Sequence, residues 1–287
     1  MSPQLLASIT AIFYAGALVS SRLGLKYSTP DTVTLVSILV QNVTLWSAVF
    51  LTGGIPKVSG VAVGIFCIVG TFQMGVRVFA YTGVLKIGAS RSGSLQSISP
   101  LISATIAIAV LREPATSLIM AGTFLVVGGI ILVSWKAERE VPSFRWWYLL
   151  LPIGAACLTG MNHPLRRYAF SLSNEPLFFS AFMGLVSLVG FAIYRSLSPN
   201  KQELDWNRKA LWPFLSTGIF ETLSIVFIMK SLSLGRVVLV APIAATYPVW
   251  ALIGAKIFLR DVEKITTKTI IGILSVVAGT IAIHLGK

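Results

Sequence analysis

Charge is what this sequence has least of. Only 11 % of its 287 residues are Asp, Glu, Lys or Arg, and just ten are acidic, whereas soluble domains carry about 25 % charged residues. So little charge cannot clothe a water-facing surface, which excludes an ordinary soluble fold. Cysteine is scarce too. Cys67 and Cys157 both sit in apolar stretches, so no disulfide framework is available, and two buried free thiols are expected. Catalytic signatures are missing: there is no HExxH, no DDxxD-type aspartate pair, no GxSxG and no P-loop. The reading is therefore of a non-enzyme that needs no cofactor and no metal. The 23 Lys and Arg give a net charge of +13, yet they stand singly or in pairs, Arg166–Arg167 and Arg208–Lys209 being the closest clusters. A nucleic-acid footprint would gather them on one face. No nucleic-acid partner is expected; scattered boundary cations suit a lipid bilayer.

What is present is apolar length. Hydrophobic residues make up 55 % of the chain and mean hydropathy is +0.83. Cutting at the charges leaves ten segments: 1–21, 32–56, 58–76, 92–111, 114–135, 146–165, 176–194, 210–229, 237–255 and 269–286. Each is near the ~20 residues with which a helix crosses the hydrocarbon. The first lacks the basic flank and short apolar core of a signal peptide and is expected to remain a helix of the protein. The longest polar connection, Arg195 to Lys209, is too short for a core of its own. The expected fold is an all-α membrane protein of ten transmembrane helices, multi-pass and in the cell (inner) membrane.

The chain also resembles itself. SPLISATIAIAVLREP, 99–114, matches YPVWALIGAKIFLRDV, 247–262: Pro100 meets Pro248, Leu111 meets Leu259, Arg112 meets Arg260 and Glu113 meets Asp261. At the same offset Gly70, Phe72, Gln73 and Phe79 meet Gly218, Phe220, Glu221 and Phe227. Gly88 meets Gly235 one residue out of step, Gly122 and Gly129 meet Gly272 and Gly279 after a small insertion, and Gly16 and Arg22 meet Gly160 and Arg166. Two five-helix units are expected, 1–140 and 141–287. An odd number of crossings per unit makes the copies inverted, an architecture that places substrate near the midplane between halves.

These two proline-centred segments, each closing in Leu–Arg–acid and each followed by a glycine-bearing helix, resemble the drug/metabolite transporter superfamily and, within it, the EamA-type ten-helix carriers. The resemblance implies a secondary transporter, commonly an exporter of amino acids or other small metabolites. It further implies a central cavity lined mainly by helices 1, 3, 4, 6, 8 and 9, and both termini in the cytoplasm. Loop charges argue the other way: seven Lys and Arg fall on the side of the termini and fourteen on the opposite side, and cations favour the inside. The short loop 52–59 and the intramembrane Arg77 and Glu221 depart from the family pattern.

Ionisable groups inside the bilayer cost at least ~2.5–3.5 kcal/mol and persist where they pair or meet water. Arg77 has Gly70, Gln73 and Tyr81 at helical spacing, and Glu221 occupies the position matched to Gln73. Arg77 is expected to draw a substrate carboxylate or phosphate, and Glu221 to hold an ammonium or exchange a proton; a mutual Arg77–Glu221 lock is the structural alternative. His163, beside Asn162, is the second candidate for proton coupling, since imidazole titrates near neutrality; proton or other ion coupling is part of the expectation. Gln96, continued by Ser99 and Ser103 beside Pro100, offers hydrogen bonds to a substrate, as do Gln41 and Asn42 unless they only join helices. Tyr14, Phe72, Tyr247 and Trp250 are candidates for an aromatic wall. Pro100 and Pro248 should break their helices and free carbonyls toward a cavity.

The resulting expectation is an alternating-access transporter whose partner is a small polar or amphipathic molecule such as an amino acid, with Arg77, Gln73, Glu221, Gln96, Asn162, Tyr14, Tyr247 and Trp250 binding it. A lipid or lipid-linked sugar translocator of the same fold, and a non-transporting membrane scaffold, are the alternatives.

Overall fold

The computed structural model describes residues 1–87, 89–134, 145–198, 201–258 and 266–286, with backbone alone at 77, 78, 80–85, 87, 89–91, 93, 255, 256 and 258. Among these residues the chain is helical and contains no strand. The helices run α1 Pro3–Gly24, α2 Pro30–Leu51, α3 Gly60–Ile87, α4 Ala89–Gln96, α5 Ser99–Ala109, α6 Ser117–Ser134, α7 Leu150–Leu172, α8 Pro176–Leu197, α9 Arg208–Leu234, α10 Val237–Ala244, α11 Tyr247–Phe258 and α12 Thr267–Leu285. A 3-10 turn, Trp146–Leu149, leads into α7.

Apolar runs fold as helices here because a helix satisfies its own backbone where no water is available. Their ends are marked chemically. Ser2 and Thr29 accept from Leu5 and Thr32 ahead of prolines at the first helical position, where a missing N–H costs nothing. Thr266 and Thr269 form a reciprocal capping box on α12. The breaks between α4 and α5 and between α10 and α11 fall just before Pro100 and Pro248, as the matched prolines predict.

Among the described residues seven stretches are long and apolar enough to cross a membrane: Pro3–Gly24, Pro30–Leu51, Ser117–Ser134, Pro176–Leu197, Arg208–Leu234, Val237–Gly254 and Thr267–Leu285; Gly60–Val76 and Ser94–Ala109 are shorter apolar helices. The sequence anticipates ten. Helix α7 falls short in composition because Asn162, His163, Arg166 and Arg167 interrupt it. Large apolar side chains such as Val43, Phe124, Val189 and Leu274 cover the outside of the bundle, as lipid-facing surfaces require.

Packing between the halves follows a pattern of exchange. Helix α1 packs on α9 and α3 on α7; α2 packs on α9 and α3 on α8; α1 packs on α11 and α5 on α7. Renaming each helix as its counterpart in the other half turns every one of these pairs into its companion. Side chains obey the same rule. A Cβ on Gly70 would meet Val186 of α8 at 2.5 Å, and one on the matched Gly218 would meet Val40 of α2 at 2.7 Å. Helices α6 and α12 approach backbone to backbone where Gly122 meets Gly279 and Gly129 meets Gly272. That register, rising on one helix and falling on the other, makes the two antiparallel.

Glu113 explains the acidic end of the repeated motif. Its Oε1 accepts from the backbone N–H of Val237 at 2.9 Å and its Oε2 from that of Val238 at 3.0 Å. A carboxylate of the first half thus caps the interrupted helix α10 of the second, satisfying free N–H groups and the helix dipole together. The matched Leu259, Arg260 and Asp261 lie outside the described residues, as does Gly88. Contrary to expectation, Cys67 and Cys157 are exposed on the outer faces of α3 and α7. An apolar run tells that a thiol lies in the membrane, not that protein covers it.

Candidate functional site

Helix α7 carries polar residues in a single stripe. Thr159, Asn162, His163 and Arg166 recur at i, i+3, i+4 and i+7, so they share one face. That face borders a cavity of about 210 Å³ between the two halves. Tyr14 on α1, Gln73 on α3 and Ser224 on α9 reach it, as do Gln96 at the α4–α5 break and Tyr247 at the α10–α11 break. Each half therefore contributes its first helix, its third helix and its interrupted fourth. Ser103 Oγ donates to the Gly160 carbonyl at 2.8 Å, tying α5 to α7, and Ser224 Oγ donates to the Thr10 carbonyl at 3.2 Å, tying α9 to α1.

Arg166 dominates the electrostatics. It is only 5 % exposed, sits six residues before the end of α7 and borders the cavity. Its Nη2 donates to Gln73 Oε1 at 3.2 Å and to Met183 Sδ at 3.4 Å. Its Nε is buried with no hydrogen-bond partner among the described residues, as are His163 Nδ1 and Asn162 Oδ1. Among the described residues no carboxylate forms an ion pair with it and no Asp or Glu lines the cavity. Because a guanidinium only donates, the Gln73 oxygen must face it, which leaves the Gln73 amide NH₂ as two further donors.

Among the residues singled out from sequence, the fold brings Tyr14, Gln73, Gln96, Asn162, His163 and Tyr247 around this one space. Tyr14 and Tyr247 meet edge to face at 4.7 Å between ring centres. Gln96 spends its amide donors on its own helix, 3.3 Å from the Ser92 carbonyl and 3.1 Å from Ser92 Oγ. Trp250 does not line the cavity and is 40 % exposed, although it stands only three residues after Tyr247 on α11. Phe72 and Glu221 are also off the lining, although Glu221 stands one turn from Ile225, which is on it. The side chains of Arg77 and Tyr81, and with them the expected Arg77–Glu221 pair, lie outside the described residues. Asn42 proves to join helices, donating to the Gly184 carbonyl of α8 at 3.0 Å. Arg166 itself was passed over in the sequence as a boundary cation. The signal was its i+3 and i+4 spacing from His163 and Asn162.

The comparisons with known proteins decide the family. The model of the EamA-like transporter family matches residues 1–135 and again 145–285. The chain belongs to the EamA-like transporter family. One family unit per half accounts for the internal repeat and makes the chain an integral, multi-pass membrane protein of the transporter class, not of an enzyme family. A solved crystal structure of a protein shares the fold with a TM-score of 0.77 at 13 % identity, covering 98 % of this chain and 96 % of the other. No curated protein matches the sequence.

Proposed function

We propose that this EamA-family chain is a secondary active transporter, exporting small polar or amphipathic metabolites such as amino acids and related organic anions from the cell by alternating access. The cargo binds in the cavity between two inverted five-helix repeats, ten crossing segments in all. The carrying observation is the composition of that cavity: matched helices of both halves, each with its interrupted member, converge on one polar space inside an apolar bundle. Inversion is supported by the antiparallel register of Gly122 with Gly279 and Gly129 with Gly272. Broken helices at matching places are where carriers of this architecture hold cargo, because unwound backbone there can bind ligand and absorb motion. His163, half-buried at the cavity wall with its Nδ1 buried and without a hydrogen-bond partner among the described residues, is the group best placed to exchange a proton with cargo movement.

The test is counterflow. Protein reconstituted in liposomes and preloaded with unlabelled compound should accumulate the labelled form of at least one amino or organic acid, while protein-free liposomes do not. Absence of counterflow across both classes rejects the transport reading.

A further inference from the structure

We infer that Arg166 is the receptor for a single carboxylate on the cargo, and that the cavity selects organic monoanions with an uncharged body over zwitterions and cations. This rests on the transport reading and narrows its cargo to the organic anions, setting the zwitterionic amino acids aside.

The guanidinium is buried inside the helix bundle, is charged as guanidinium groups in proteins are and has no carboxylate partner among the described residues. Charges in such positions persist where a partner or water compensates them. Gln73 and Met183 supply only neutral acceptors, both to Nη2, and the other donors of the fork remain for a ligand. A carboxylate matches that fork in a planar, two-point contact. The Gln73 NH₂ can add a donor beside it, because its oxygen is committed to Arg166. The rest of the wall fits an uncharged body: Val76, Ile225 and Ile228 are aliphatic, and Tyr14 and Tyr247 present ring surface and hydroxyls. Among the described residues no acidic side chain lines the space, so an ammonium entering with the carboxylate gives up water without gaining a counter-charge there. The volume, about 210 Å³, is well above the ~10–15 Å³ that one water needs on this measure, which suits a monocarboxylate of modest size.

Two matched series provide the probes: 3-phenylpropionate, phenylalanine and phenethylamine, and 4-methylpentanoate, leucine and isoamylamine. Binding is measured on the purified full-length protein by calorimetry and thermal shift. The carboxylate should bind about tenfold to a hundredfold tighter than its amino-acid and amine partners in at least one series, the range expected of one charge-assisted contact. Arg166→Gln should abolish that preference, and Arg166→Lys should keep the order with weaker binding, because Lys lacks the fork. Gln73→Glu is the control for folding: it leaves Arg166 in place and neutralises it across the existing 3.2 Å contact, so it should lose the carboxylate without losing the fold. Equal or tighter binding of the amino acids or amines in both series, no binding in either, or a carboxylate preference that survives Arg166→Gln and Gln73→Glu overturns the inference. Counterflow separates the two readings. Transport of amino acids or cations that ignores Arg166 leaves the transporter standing without its anion site, whereas selective carboxylate binding without any counterflow leaves the site standing without transport.

Discussion

A Cβ placed on Gly122 would stand 2.7 Å from the carbonyl oxygen of Gly279, and one placed on Gly279 would stand 2.6 Å from that of Gly122. Gly129 and Gly272 repeat the relationship two turns away, at 2.6 and 2.7 Å. The last helices of the two halves thus meet backbone to backbone, which only small residues allow. Gly122→Leu or Gly279→Leu should force α6 and α12 apart and lower stability by about 1–3 kcal/mol, the usual range for overpacking. Gly128 is the internal control, for nothing lies within 4 Å of its missing Cβ. Gly128→Ala should change stability by no more than about 1 kcal/mol. Thermal unfolding of the three variants in one detergent decides the matter; equal losses at Gly122 and Gly128 would contradict the close approach.

Glu113 should be a stability residue. Both its oxygens accept from backbone N–H groups at the start of α10, so Glu113→Ala uncovers two buried donors at about 1–3 kcal/mol in total or more. Glu113→Gln should recover only part of this, since its NH₂ opposes an N–H where the carboxylate offered an oxygen. Unfolding measurements check both, and a Gln variant as stable as the parent would show that the second oxygen contributes nothing.

The adjacent arginines of α7 should separate cleanly. Arg167 Nη1 donates to the carbonyls of Leu232 and Ser233, both at 3.0 Å, at the end of α9, whereas Arg166 faces the cavity. Arg167→Gln should reduce stability by about 1–2 kcal/mol through the lost charge-assisted caps and leave carboxylate affinity unchanged. Arg166→Gln should do the reverse in affinity. Paired melting and binding curves test this, and a shared phenotype would deny the division.

Asp31 and Arg195 meet at 2.9 Å with side chains 12 % and 25 % exposed, and Asp31 also accepts from the Gln202 N–H at 3.1 Å. Because the pair is partly open to solvent, Asp31→Asn should cost only about 1 kcal/mol, less than Glu113→Ala. Melting in low and high salt should show the difference shrinking as salt rises.

Much of this molecule is legible from its residues, for reasons that are physical. The apolar runs fold as helices in a bilayer, and the matched prolines stand at the first turn of the helices that follow the two breaks. The repeat carried the pairing of glycines, since residues that are equivalent in two copies meet reciprocally across their interface. What escaped was direction. Trp250 and Tyr247 are three residues apart on α11, yet only Tyr247 reaches the cavity, while Trp250 is exposed. Cys67 and Cys157 lie in apolar helices but on their outer faces. Arg166 was hidden by position: two turns from a helix end, beside a second arginine, it resembles a boundary cation until α7 is seen to continue to Leu172.

The most direct test of the central claim is access to the cavity from the two sides of the membrane. Thr159→Cys, a small change on the cavity wall, is introduced with Cys67→Ala and Cys157→Ala, and a membrane-impermeant thiol reagent is applied to either face of oriented vesicles. The account predicts modification from each face, with 3-phenylpropionate or 4-methylpentanoate, whichever binds tighter, slowing both. Modification from one face alone, or from neither, would contradict alternating access at this site.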